Sequence, residues 1–277
     1  MEYSRTMSEA GKSPTAVKLN SRQIALPSEH GAWGFLLEPL VVSLAIGYST
    51  AGLFLAIMTI GSFLARQPLK VLIIDRLGQK NNERASAAFK FLVIFGSIAA
   101  AGLAASVYLA GIGPLAPFAV ILPLAAVQIY FDGSRKSRGL LPELMGAISI
   151  SSSAAAILLA GGSTHIEAAA IWMIMIARLI PSIIYVRNRL RLEKGKHHSM
   201  TITIAVHAAA IITVSVFAYN GLASLLAVGI MCFLLFRAAI GLSPYRRKMK
   251  AMQIGVREVI YGVMTVAAIV IGHYTGY

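Results

Sequence analysis

Long apolar windows, each closed by a few polar or glycine residues, recur from residue 26 to the end of the chain. A helix needs roughly 20 consecutive apolar residues to cross a hydrocarbon core. That length predicts about nine spanning helices, at 32–48, 53–72, 89–110, 115–130, 140–159, 168–185, 201–219, 222–239 and 259–273. The separators alternate in character. The first, third, fifth and seventh gaps are short and neutral: Ser49 to Gly52, Gly111 to Pro114, Gly161 to His165, and Asn220 with Gly221. The other gaps carry Arg76, Lys80 and Arg84, then Arg135, Lys136 and Arg138, then Arg187 to Lys196, then Arg246 to Lys250. Cytoplasmic loops collect Lys and Arg, so the N-terminus and the basic gaps are expected inside and the C-terminus outside. The fold class expected is an all-α, polytopic membrane helix bundle in a bacterial plasma (inner) membrane.

Composition agrees with this pattern and removes the alternatives. Of 277 residues, 57% are hydrophobic and 13% charged, with a mean hydropathy of +0.73. Soluble domains carry about 25% charge, so soluble α/β enzymes, β-sandwiches and disordered chains are excluded. The net charge of +14 would suggest nucleic acid in a soluble protein. Here all 25 Lys and Arg lie in the N-terminal tail, in the basic gaps, or within a few turns of them. The charge therefore belongs at a membrane surface, and the expected partner is the lipid bilayer, not nucleic acid. Residues 1–25 carry four basic side chains and no apolar period, and are expected to form a disordered basic tail near anionic lipid. Residues 26–277 are expected to form a single transmembrane domain. The first apolar run is a full span, which does not fit a cleaved signal peptide. The single cysteine, Cys232, lies in an apolar run and leaves no intrachain disulfide or cysteine-held metal.

Polar groups inside a membrane are costly and mark function or protein burial. Glu38 follows Trp33 by five residues, roughly 8 Å along the first span. Arg178 precedes Tyr185 by seven, roughly 10 Å from the end of the sixth. His207 and Arg237 fall at similar depth, and Arg66, Gln128 and Glu143 are shallower. All lie in the cytoplasmic half. That asymmetry predicts a polar cavity open to the cytoplasm, with Glu38 and Arg178 converging on it. His30, Gly34 and Glu38 share a helix face, as do Arg66 with Lys70, and Arg178 with Ser182 and Tyr185. Interhelical ion pairing, Glu38 with Arg178 for instance, is the alternative use of the same residues.

The segment Pro27-Ser28-Glu29-His30-Gly31-Ala32-Trp33 opens the first span. With the apolar run and Pro39 that follow, it resembles the YwiC-like family of bacterial membrane proteins. Arg66-Gln67-Pro68-Leu69 and the stretch from Pro181 to Arg191 fit the same family. That resemblance implies no established activity. A more distant likeness is topological: nine helices, an inside N-terminus and a polar chamber under the loops after the second and sixth helices resemble the UbiA superfamily of intramembrane prenyltransferases. Those enzymes hold magnesium against a prenyl diphosphate with Asp-rich motifs. This chain has two aspartates, Asp75 and Asp132, neither with an acidic neighbour at metal-binding spacing. Basic residues stand in those regions instead, Arg66 and Lys70 in one, Arg187 beside Tyr185 and Asn188 in the other. Arginine binds phosphate bidentately without metal, so neither a metal site nor a cofactor is expected.

These residues give one leading function and two competitors. The first is a chamber for an anionic amphipath, a prenyl phosphate or diphosphate or an anionic lipid. Arg66, Lys70, Arg178 and Arg187 would face its headgroup, with Trp33, Gln128, Tyr185, Asn188, His207 and Arg237 as further binding candidates. Glu29, His30 and Glu38 would orient it, His30 and Glu38 being the candidates for proton transfer if a prenyl or lipid group is transferred. The second is a small-anion transporter, which requires a polar path through the outer half. The third is a noncatalytic membrane subunit whose basic loops dock an acidic partner.

Overall fold

The computed structural model describes residues 21–26, 30–77, 82–134 and 139–276. Among these residues the chain is helical and contains no strand. The helices are α1 (Ser21–Ala25), α2 (His30–Ile46), α3 (Thr50–Leu77), α4 (Asn82–Ala110), α5 (Ala116–Gly133), α6 (Leu140–Ala160), α7 (His165–Glu193), α8 (Met200–Tyr219), α9 (Leu225–Leu242) and α10 (Ala251–Thr275). Eight of them, α3 to α10, are long and apolar enough to span a bilayer. The 17-residue α2 is apolar but shorter, at the lower end of spanning lengths. A backbone that satisfies its own hydrogen bonds within each segment is what hydrocarbon requires, and the protein is embedded in a membrane through these helices.

Several helices run past the apolar windows that announce them. α7 continues to Glu193 and α10 begins at Ala251. The windows end where charge begins, but Arg, Glu, Gln and Met are good helix formers, so the helix continues out of the apolar zone. Ser21–Ala25, expected within the disordered tail, form a helical turn. Ile24 is buried with Val71, Leu72 and Ala88, and the Gln67 side chain donates to the Gln23 carbonyl at 3.1 Å. Residues 1–20 lie outside the described residues.

From α2 onward, most neighbours in sequence pack against each other, α3 with α4 most extensively, α4 with α5 being the exception. Gly61 and Gly102 make that contact possible. A Cβ on Gly61 would stand 2.8 Å from the Ala99 nitrogen, and one on Gly102 would stand 2.7 Å from the Phe54 carbonyl oxygen. Small residues let membrane helices touch backbone to backbone. α6 and α7 form the centre, α6 against α2, α3 and α5, and α7 against α8. Their small and branched residues, Ala154, Ala155, Leu158 and Ile174 among them, form the main apolar core with Val42, Val214, Met231 and Ile269. α4, α5, α8 and α10 expose apolar faces such as Val93, Leu122, Ile212 and Val263, as lipid contact demands. α10 closes the bundle against α2 and α9. That closure brings the last helix to Glu38 of α2.

Candidate functional site

One face of α7 presents Arg178, Ser182, Tyr185 and Arg189, at helical spacing and all buried. Arg178 is the centre of a four-charge cluster. Its Nε lies 3.2 Å from Glu38 Oε2 on α2, and its Nη2 donates to Glu38 Oε1 at 3.3 Å. Its Nη1 stands 3.9 Å from Glu258 Oε2 on α10 and donates to the Ser182 hydroxyl. From α9, Arg237 Nη1 donates to Glu258 Oε1 at 2.7 Å, and Nη2 reaches Ser182 Oγ at 3.5 Å. The Arg237 guanidinium lies over the Tyr185 ring, 4.1 Å from its centroid, and 5.0 Å from that of Tyr261. Two cations and two carboxylates from four helices thus compensate one another. Inside a bilayer, charges persist only when so matched.

Beside this cluster a cleft of about 340 Å³ opens between α2, α3, α5, α6, α7 and α10. Glu38 and Glu258 contribute to its wall, while Arg178 and Arg237 are not among its lining residues. The two glutamates therefore stand between the cleft and the deep arginines. Phe35, Phe63, Ile150, Ile183 and Leu190 supply its apolar walls. Two less buried cations also line it. Arg66 donates from Nε to Asp132 Oδ2 at 2.7 Å and from Nη2 to Oδ1 at 3.0 Å, a bidentate pair. Gln128, with its amide oxygen turned to the guanidinium, accepts from Nη1 and Nη2 at 3.1 Å each. Arg187 Nη1 donates to Glu143 Oε2 at 2.5 Å. The side chains of Arg66 and Arg187 are 37% and 36% exposed, against 1% for Arg178. Ligand could reach the first two without unpacking the bundle.

The remaining candidates divide by their surroundings. Trp33 packs edge-on against Phe63 at 5.6 Å and belongs to the apolar wall behind the cleft. Lys70 is half-buried on α3, one turn beyond Arg66. Tyr185 is held under Arg237. Asn188 faces the start of α8: its Nδ2 donates to the Ser199 carbonyl and to Thr203 Oγ1, and its Oδ1 accepts from the Ser199 amide. These bonds make Asn188 a brace of the start of α8. His207 is buried, with Nδ1 2.8 Å from the Thr203 carbonyl. His30 begins α2, and Glu29 lies outside the described residues.

Glu258 and Arg189 are the paired charged side chains that the candidates read from the sequence leave out. Glu258 falls just outside the 259–273 window, yet it sits two turns inside α10. The buried series Ile254, Gly262, Thr265 and Ile269 on either side of it was the available signal. Arg189 donates to the carbonyls of Gly241 and Arg247 and pairs with Glu193 at 2.8 Å.

At the opposite end of the bundle a second cleft, of about 440 Å³, is lined by Ser163, Glu167, Ser224 and His273. Leu158, Ile174 and Ile269 of the apolar core close its inner side. Among the described residues, no group of three or more His, Cys, Asp or Glu side chains gathers to hold a metal ion.

Comparison with known proteins gives one match. No curated protein and no solved structure matches the chain. Residues 26–160 match the family model described as YwiC-like protein. The match takes in α2 to α6, and with them Glu38, Arg66, Gln128, Asp132 and Glu143. Over those residues, just under half of the chain, the protein is similar to the YwiC-like family.

Proposed function

We propose that this membrane protein binds an anionic amphipath in the cleft beside Glu38 and Glu258, which faces the cytoplasm. The observation that carries the reading is the pairing of two accessible arginines, Arg66 and Arg187, with apolar walls in one cleft of about 340 Å³. That volume falls within the usual range for small-ligand sites, about 300–1,000 Å³. A phosphate or diphosphate headgroup would take hydrogen bonds from Arg66 and Arg187, competing with Asp132 and Glu143. Its apolar chain would lie along Phe35, Phe63 and Ile183. Arg178 and Arg237 act here through Glu38 and Glu258, holding the two carboxylates at the wall. Glu38 and Glu258 are then the groups available for proton transfer if a prenyl or lipid group is transferred. The cytoplasmic orientation rests on the basic gaps, and the host membrane is read as a bacterial plasma membrane.

Lipid mass spectrometry on gently purified protein tests this, followed by binding of the co-purified species or farnesyl diphosphate to detergent-solubilised variants. Arg66→Gln and Arg187→Gln should each weaken binding about tenfold, the loss of one charge-assisted hydrogen bond. A chelator of divalent cations should change it little. Loss of binding on chelation, with both arginine variants binding normally, would refute the proposal.

The outer cleft favours a second reading, a small-anion transporter. Such a protein would have to open the apolar core between its two clefts. Uptake of a labelled anion into vesicles holding the protein separates the two readings.

A further inference from the structure

A third concavity, of about 310 Å³, lies between the cytoplasmic end of α9 and the start of α10, and shares only Glu258 with the lining of the central cleft. We infer that it is a second site, which holds an anionic phospholipid of the surrounding bilayer by its phosphate, with the acyl chains on α9. Its chemistry is unlike that of the central cleft. Five arginines line it: Arg189, Arg237, Arg246, Arg247 and Arg257. The first two are spent on Glu193 and Glu258. Arg247 and Arg257 are exposed and form no ion pair among the described residues. Arg246 Nε is buried without a hydrogen-bond acceptor, with Glu193 Oε1 4.0 Å away. Three further arginines therefore line one concavity whose neighbouring carboxylates, Glu193 and Glu258, already pair with Arg189 and Arg237.

The loop that carries Arg246 and Arg247 is held in place. The buried Arg189 donates to the Gly241 and Arg247 carbonyls, and Glu193 accepts from the Met249 amide at 3.3 Å. α7 thus fixes both ends of the short connection between α9 and α10. A held loop meets its ligand with less ordering cost than a free one.

The neighbouring surface favours a lipid over a free phosphate. Phe233, Phe236 and Ile240 repeat at three- and four-residue intervals and form an apolar stripe on α9 that runs up to the arginines. Phe236 is 64% exposed and Tyr245, at the mouth, 93%. Tyrosine at the boundary between chains and headgroups is a usual membrane anchor. Basic pockets between helices on the cytoplasmic side attract anionic headgroups. A phosphodiester at the arginines would place two acyl chains along that stripe.

Native mass spectrometry of the full chain in detergent, titrated with dioleoylphosphatidylglycerol or dioleoylphosphatidylcholine, tests the inference. The wild type should retain phosphatidylglycerol well above phosphatidylcholine, and inorganic phosphate should not displace it. The Arg247→Gln/Arg257→Gln pair should weaken phosphatidylglycerol retention roughly 30-fold, from the loss of two charges near the surface. The Arg247→Lys/Arg257→Lys pair keeps the charges and should retain most of it. In the Arg66→Gln background, where the central cleft is weakened, the Gln pair should still cause the same loss, so failure of either site is seen separately. Equal retention of both lipids, displacement by phosphate, or a Gln pair that binds like wild type would overturn the inference. So would a Lys pair as weak as the Gln pair.

Discussion

Gly262 of α10 lies directly against the Glu38 carboxylate of α2. A Cβ on Gly262 would stand 2.8 Å from Glu38 Cδ and would overlap Oε1. Glycine at this position lets the last helix approach the first long one. One turn earlier on the same face, Glu258 then reaches Arg178 and Arg237. The four-charge cluster depends on that close approach.

Gly262→Ala should therefore destabilise the bundle by about 1–3 kcal/mol, the usual cost of overfilling a packed site. Gly229→Ala is the control, because nothing lies within 4 Å of a Cβ there. Thermal unfolding in detergent should show a clear loss for the first variant and none for the second. Equal melting curves would mean that α2 and α10 do not meet at Glu38.

Removing one partner of the buried pair should cost more than removing both. Arg178→Gln leaves Glu38 and Glu258 without their shared cation, and an uncompensated buried charge costs about 3–5 kcal/mol. Adding Glu38→Gln should recover part of that loss. A double-mutant cycle measured by unfolding should give a coupling of at least about 1 kcal/mol, as expected of contacting residues. Strict additivity would argue against a direct pair.

Asp132 separates a metal site from an arginine site. Its carboxylate occupies the Arg66 guanidinium bidentately, so it competes with any anionic headgroup. Asp132→Asn should leave binding of farnesyl diphosphate equal or stronger, whereas Arg66→Gln should weaken it about tenfold. A metal-dependent site would reverse this order. Equilibrium binding in detergent, with and without chelator, reads the difference.

The α3–α4 contact should be intolerant of side chains. Gly61→Leu or Gly102→Leu would force apart backbones already in contact, and each should lower thermal stability well beyond Gly96→Leu on the open face of α4. If all three behave alike, the helices are not held by backbone contact.

Orientation follows from charge alone and has its own test. A reporter fused to the C-terminus should be active only if it functions outside the cytoplasm, since the basic gaps are expected inside. Activity of a reporter that works only in the cytoplasm would invert the topology and put the central cleft on the outer face.

The membrane architecture was legible in the sequence because hydropathy and charge are local properties that a bilayer reads segment by segment. Windows of apolar residues had to become helices, and the one-sided Lys and Arg followed the loops. The costly positions were legible for the same reason: Glu38, Arg178 and Arg237 stood out because hydrocarbon tolerates few charges. Their partners were another matter. Glu38 and Arg178 lie 140 residues apart in sequence, and whether they meet depends on the rotation of α2 and α7 about their axes. Glu258 looked like a loop residue until α10 was found to begin seven residues before it. Arg66 and Arg178 were expected to face the same headgroup, yet one stands at an open cleft with Asp132 and the other is sealed behind two glutamates. Charge compensation in a membrane is settled by contacts between helices, and those contacts are set by glycines and packed side chains distant in sequence. The sequence determined which residues had to find partners, and the tertiary structure decided which ones they found.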